Sequence, residues 1–224
     1  MEIFIDTADI NEIKEASTWG IVTGVTTNPK IVSSLKEKIS LKGKIMEIVE
    51  LCDGPISVEV VSEDFESMIE EANRYASWHK NIVIKIPMGI DGLKAVKILE
   101  KESDIRTNVT AIMATNQAVI AALAGATYTS IFFARIGDMG YDATRVIKDT
   151  ATLFKEGNLK AKIISGSIRH LMDINRSFEA GAHIVTVPFQ FLKQMFHNPR
   201  TTETISEFNK AWKDLKDKGL LLSE

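Results

Sequence analysis

The chain of 224 residues holds one cysteine, Cys52, which excludes a disulfide framework and a thiolate metal site. A single thiol suits a reducing cytoplasm. His79, His170, His183 and His197 show no metal-ligand spacing, so no metal is expected. No sign of charge dominates: the formal net charge of -3 leaves no basic footprint for nucleic acid. No apolar run approaches the length of a membrane span. Met1-Glu2-Ile3-Phe4-Ile5-Asp6 lacks the charged-then-apolar order of a signal peptide. Without secretion, the glycosylation patterns at Asn108 and Asn175 read as chance matches. With 13 glycines, 5 prolines, 45% hydrophobic and 25% charged residues, the composition is that of an ordinary globular protein. It is long enough to bury a large core without staples.

What is present is alternation. The sequence predicts strands over 2–6, 21–26, 56–61, 81–88, 105–111, 128–133, 161–165 and 183–187. Asp9, with Glu12 three residues on, opens a helix to about 18. Asn28 and Pro29 open another, running with a break near Gly43 to about 52. Ser62 is expected to cap 63–78, where Phe65, Ile69, Ala72 and Ala76 share one face. Further helices are expected from Asp91-Gly92 to 102, from Thr115 to Ala124-Gly125, over 142–155, and from Ser167 to Ala180-Gly181. Two more finish the chain, at 188–196 and 202–216.

Strands alternating with helices in one domain argue a parallel sheet covered by helices, and eight units argue an α/β-class (β/α)8 TIM barrel. Residues 1–224 then form one catalytic domain, with a helical extension from about 200. An open doubly wound sheet is the alternative, but no Gly-x-Gly-x-x-Gly follows the first strand. In the extension, Ile205, Phe208, Trp212 and Leu215 form an apolar stripe that either packs on the barrel or docks on a neighbouring subunit.

One residue interrupts the apolar run Asn81-Ile82-Val83-Ile84-Lys85-Ile86-Pro87-Met88. Lysine is almost never fully buried without a reason. Its plain reading is a stem that is buried and a head that emerges at the strand end. The other reading is chemical: burial disfavours an ammonium, and a neutral amine attacks carbonyls to form a Schiff base. Strand parity favours the second. Lys85 faces opposite to Ile84 and Ile86, Asp6 to Ile3 and Ile5, and Glu59 with Ser57 to Ile56 and Val58. Thr110 with Asn108 opposes Thr107 and Val109; Ser130 and Phe132 oppose Ile131 and Phe133; Ser165 opposes Ile164. A polar residue thus recurs near strand ends on the face expected to line the barrel mouth, where such barrels keep their active sites. Two carboxylates around one lysine form a costly buried set unless used.

Several segments resemble the small transaldolase and fructose-6-phosphate aldolase family: Ile5-Asp6-Thr7, Gly24-Val25-Thr26-Thr27-Asn28-Pro29, Ile82-Val83-Ile84-Lys85-Ile86-Pro87, Asn108-Val109-Thr110 and Ser165-Gly166-Ser167-Ile168-Arg169. The resemblance implies a class I aldolase barrel without metal or organic cofactor. By it, Lys85 is similar to the Schiff-base lysine, Asp6 to the acid/base for the C4 hydroxyl, and Glu59 with Thr110 to a water-activating pair. Asn28 resembles a residue that binds substrate hydroxyls, and Arg135, Ser167 and Arg169 resemble a phosphate site. Thr27, Ser130, Phe132 and Ser165 complete the expected substrate contacts. Plain alternatives remain: Asp6 or Asn28 as a cap, the arginines in surface ion pairs, Phe132 as barrel filling. Aldolase-type members carry Gln in place of Glu59 and Tyr in place of Phe132, so the resemblance implies transaldolase. The implied partners are phosphorylated sugars and copies of the chain itself, as a pentamer or decamer, with neither nucleic acid nor membrane. Rival readings are a deoxyribose-phosphate type aldolase, which needs a second lysine, and a non-catalytic phosphosugar-binding barrel.

Overall fold

A computed structural model describes residues 1–35 and 40–220. Its strands are β1 (Glu2–Asp6), β2 (Val22–Thr26), β3 (Ile56–Glu59), β4 (Ile82–Pro87), β5 (Thr107–Ile112), β6 (Tyr128–Phe132), β7 (Lys162–Gly166) and β8 (Ile184–Val187). They pair in parallel in chain order, and β8 pairs with β1 to close the barrel, leaving no sheet edge. Its helices are α1 (Ile10–Ser17), α2 (Pro29–Ser34), α3 (Leu41–Leu51), α4 (Phe65–Ala76), α5 (Ile90–Glu102), α6 (Thr115–Ala124), α7 (Phe133–Asp138), α8 (Ala143–Glu156), α9 (Leu171–Glu179), α10 (Phe189–Gln194) and α11 (Pro199–Asp217). The expected (β/α)8 TIM barrel is formed, with a helix added at the C-terminal end.

Strand alternation sorts the apolar residues into two cores. Ile82, Ile84 and Ile86 of β4 join the large cluster between barrel and helices. Val83 instead joins Phe4, Tyr128, Ile164 and Ile184 in a small cluster inside the barrel. On each of those five strands the next inward position lies two residues on. Those positions are Lys85, Asp6, Ser130, Gly166 and Thr186. The barrel is therefore plugged with apolar side chains and becomes polar towards the C-terminal ends of its strands.

Several local expectations are replaced. Asp64 caps α4, accepting from the Ser67 N–H at 2.9 Å, so Ser62 is free for other work. Ala114 precedes α6 without a side-chain cap, and Thr115 lies in its first turn. His170 precedes α9, where Asp173 accepts from the His170 N–H at 2.9 Å; Ser167 stands three residues earlier in a left-handed conformation, φ 59°. A side-chain cap requires the residue next to the helix start; α4 and α9 start later than their hydroxyl residues suggested, and α6 one residue earlier. The helix expected from Pro29 to 52 divides into α2 and α3, the latter capped by Ser40, and 36–39 lie outside the described residues. The short α7 gives no periodic signal, being under two turns long.

No side chain of α11 is buried, and Phe208 and Trp212 of its apolar stripe are 68% and 62% exposed. The stripe does not pack on the barrel. No described helix is long and apolar enough to cross a membrane.

Gly92 in the first turn of α5 lets that helix press on the end of β4. A Cβ there would fall 2.3 Å from the Pro87 carbonyl oxygen. Gly92→Ala should push the helix off the strand and lower stability by about 1–3 kcal/mol. The check is the urea midpoint, which should fall with an unchanged slope.

Candidate active site

Lys85 is 4% exposed and stands inside the barrel mouth. Its Nζ lies 3.0 Å from Glu59 Oε2 and donates to the Thr27 carbonyl at 3.2 Å. Strand register sets this arrangement, since Glu59 of β3 and Asn108 of β5 both lie level with Lys85. Asn108 continues the polar layer on both sides. It donates to Ser57 Oγ at 3.2 Å and accepts from Ser130 Oγ at 2.8 Å. Across the mouth, Asp6 accepts from the Thr26 hydroxyl at 2.6 Å, and that hydroxyl also meets the hydroxyl of Thr186.

The charges are unequal in their surroundings. Burial raises the Asp6 carboxyl above its ordinary range. The Lys85 charge and the Thr26 hydrogen bond oppose that rise without cancelling it, and Glu59 adds to it. Glu59 and Lys85 form a close ion pair. The site thus holds an ion pair beside a carboxyl with a raised proton affinity, a division of labour suited to proton transfer.

A cleft of about 330 Å³ opens over Asp6 and Lys85. Phe132, Arg135, Ser167 and Arg169 form one side of it. The Arg135 guanidinium lies 4.9 Å from the Phe132 ring centre. Arg169 donates to Asp138 Oδ1 at 2.8 Å, with both side chains about half exposed. The Ser167 carbonyl accepts from the Ala134 N–H at 3.2 Å, which ties the loop after β7 to the helix carrying Arg135. Asn28 lines the cleft and also caps α2, accepting from Ile31 N–H at 2.9 Å, so the two readings of this residue coexist.

Two expected residues are placed differently. Ser165 faces the helices, hydrogen-bonded to Ser177 of α9 at 2.7 Å, because Ile164 takes the inward position; Gly166 stands at the mouth instead. Ser165 therefore stands outside the lining of the cleft. The Thr27 hydroxyl donates to the Ser57 carbonyl at 2.8 Å, so Thr27 meets Lys85 only through its backbone. Thr110 is inward and buried, and its hydroxyl has no hydrogen-bond partner among the described residues.

Thr26, Thr186 and Lys30 also line the cleft, and sequence reasoning does not single them out. The two threonines are in phase with inward residues, but threonine is so common in strands that its hydroxyl gives no separate signal. Lys30 lies on α2, away from the strand ends where parity points to a site. Among the described residues, no three His, Cys, Asp or Glu side chains converge to hold a metal.

The chain is of an aldolase or transferase class of enzyme, for it belongs to the transaldolase/fructose-6-phosphate aldolase family, whose model matches residues 3–223. A probable transaldolase of Carboxydothermus hydrogenoformans is 49% identical over 216 residues, 96% of this chain and 100% of that protein. A probable transaldolase of Caldicellulosiruptor saccharolyticus is 48% identical over 220 residues, 98% of this chain and 100% of that one. A solved structure of a mandelate oxidase mutant aligns with a TM-score of 0.56 at 13% identity, covering 84% of this chain and 64% of that chain, and shows likeness of fold alone.

The raised Asp6 carboxyl has a consequence for stability. The folded state holds this proton at a pH where the unfolded chain has lost it, so the group subtracts stability as pH rises through that window, and at all higher pH. Asn keeps an oxygen to accept from Thr26 and carries no charge. Asp6→Asn should therefore leave Tm at pH 7 unchanged or raise it, by an amount on the order of 1 kcal/mol or roughly 2–4 °C. Calorimetry at pH 7 and pH 4 checks this, and the gain should shrink at the lower pH.

Proposed function

We propose that the chain is a transaldolase, moving a dihydroxyacetone unit from fructose 6-phosphate or sedoheptulose 7-phosphate to erythrose 4-phosphate or glyceraldehyde 3-phosphate, in the pentose phosphate pathway of the cytoplasm. The observation that carries the reading is the Lys85 amine, buried in the barrel mouth with Glu59 at 3.0 Å.

In this reading Glu59 takes a proton from the Lys85 ammonium, and the freed amine attacks the ketose C2 carbonyl. Water leaves and an iminium forms. Asp6 then accepts the C4 hydroxyl proton as the C3–C4 bond breaks, and the bonding pair moves into the iminium to give an enamine. Its raised proton affinity suits that step. The first aldose departs, the second enters, and the sequence reverses: the enamine carbon attacks the new carbonyl and Asp6 returns the proton. Water then adds to the iminium and releases Lys85. In this reading Glu59 and Thr110 hold that water, and the Thr110 hydroxyl, which has no hydrogen-bond partner among the described residues, would accept its hydrogen bond.

Arg135, Ser167 and Arg169 are the natural receivers of the substrate phosphate, since a guanidinium matches a phosphate with paired donors. Asn28 and Ser130 suit the sugar hydroxyls. The exposed stripe of α11 is the surface a homo-oligomer, pentameric or decameric, would cover.

The second reading is a fructose-6-phosphate aldolase, an activity that the family's description also includes. It shares every step up to the enamine but must protonate and release it. Phe132 has no hydroxyl to donate a proton there, which favours transfer over release.

With fructose 6-phosphate alone, release of dihydroxyacetone should be slow, and erythrose 4-phosphate should accelerate turnover with ping-pong kinetics. Phe132→Tyr should raise release at the expense of transfer. Lys85→Arg, which keeps charge but loses the nucleophile, should abolish both in a folded protein. Wild-type release as fast as transfer would favour the aldolase reading.

Arg135→Ala and Arg169→Ala should each raise KM for phosphorylated sugars by a factor corresponding to about 1.5–3 kcal/mol, with little effect on unphosphorylated dihydroxyacetone. Steady-state kinetics with both substrate types checks this. An unchanged preference in the double variant would place the phosphate elsewhere.

A further inference from the structure

We infer that Glu71 of α4 is a positioning residue for the reaction, holding Glu59 against Lys85 through the backbone; the inference rests on the role given to Glu59 above. β3 ends at Glu59, where the Val60 N–H still donates to the Lys85 carbonyl at 3.0 Å. After that the chain leaves the sheet, and Glu71 takes over its anchoring. One oxygen of the Glu71 carboxylate accepts from Val61 N–H at 3.0 Å, Ser62 N–H at 3.0 Å and Ser62 Oγ at 2.8 Å. The other accepts from the Tyr75 hydroxyl and lies 3.8 Å from the Arg74 guanidinium.

This is an expensive device for an ordinary loop. The carboxylate is nearly buried, and burial by itself raises its proton affinity. The hydrogen bonds from Tyr75, Ser62 and Val61 outweigh that and hold the carboxyl below its usual range. The brace is thus charged throughout the neutral range, and charge-assisted bonds are the stronger kind. It acts two and three residues after Glu59, whose carboxylate has no hydrogen-bond or ion-pair partner except Lys85 among the described residues. Apart from that ion pair, nothing on the Glu59 side chain fixes its aim among the described residues. Its direction is set by the backbone, anchored before it by the pairing of β3 with β4 and after it by Glu71.

The molecule contains its own control. Glu100 of α5 braces a different pair of strands with the same chemistry, accepting from the N–H and hydroxyl of Thr107, at 2.6 and 2.7 Å, and of Thr127, at 2.8 and 2.9 Å. These anchor the start of β5, one residue before Asn108, and the approach to β6, and none of them touches β3, which carries Glu59. A brace on the chain that follows Glu59 and a brace on other strands can therefore be compared in one protein.

The test is to measure Tm, kcat and KM for Glu71→Gln, Glu100→Gln, Tyr75→Phe and Glu59→Gln in the full chain. Kinetics are taken with fructose 6-phosphate and erythrose 4-phosphate at a temperature where each variant is folded. Both Glu71→Gln and Glu100→Gln should lower Tm. Only Glu71→Gln should lower kcat, by about tenfold with KM within about twofold, as expected for a small misplacement of a reacting group. Tyr75→Phe, which spares three of the four bonds, should show a smaller fall of about two- to threefold in kcat. If Glu71→Gln does not fold, Tyr75→Phe and Ser62→Ala carry the same comparison against Glu100→Gln. An impaired Glu59→Gln beside an unimpaired brace variant overturns this inference alone. An unimpaired Glu59→Gln overturns the role of Glu59 and this inference with it.

Discussion

Everything at the mouth of this barrel depends on keeping one ammonium, that of Lys85, out of water. An ion withdrawn from solvent is penalised by several kcal/mol even after the protein relaxes. Glu59 at 3.0 Å and the Thr27 carbonyl at 3.2 Å are the groups that offset it. Glu59 ends the neighbouring strand β3 and Thr27 directly follows β2, so the arrangement exists only when β2, β3 and β4 are in register. The apolar plug of Phe4, Val83, Tyr128, Ile164 and Ile184 closes the barrel beneath. Fold and site are in this sense one constraint: a polar layer stacked on an apolar one, with the boundary falling one inward position before the strands end.

The same burial divides the two carboxylates. Glu59 lies against the lysine. Asp6 is held by Thr26 and is pushed by burial towards its protonated form. Two acids of the same chemical type thereby stand in different electrostatic surroundings, which suits the different tasks proposed for them. Stability is sacrificed for this at Asp6, as is common where a site needs a group that the folded state does not favour.

Much of this is legible in the sequence. Eight alternations give the barrel. Parity around Ile84 and Ile86 gives Lys85, because a charge on the inner face of a β-branched strand is too costly to keep there unless it is used. Asp6 and Glu59 follow by the same rule. The rule fails at β7, where Ile163 and Ile164 are consecutive and both buried, so parity alone does not say which one faces inward. Ile164 does, and Ser165 finds its partner in Ser177 on α9, a contact no local pattern reveals. Helix caps mislead for a related reason. Ser62 has the right side chain in nearly the right place, yet its hydroxyl serves Glu71, nine residues away in the chain. Thr26 and Thr186 are hidden by being ordinary strand residues, and α7 by its length. Period and charge are legible; contacts between elements, which set the rest, are not.

The central claim is that Lys85 forms a covalent bond with a ketose. The direct measurement is reduction with borohydride in the presence of fructose 6-phosphate, followed by digestion and mass spectrometry of the peptides. The account predicts one stable adduct, located on Lys85 and absent without sugar. Reduction that leaves Lys85 unmodified while the protein is turning over substrate, or an adduct carried by Lys30 in its place, would contradict it.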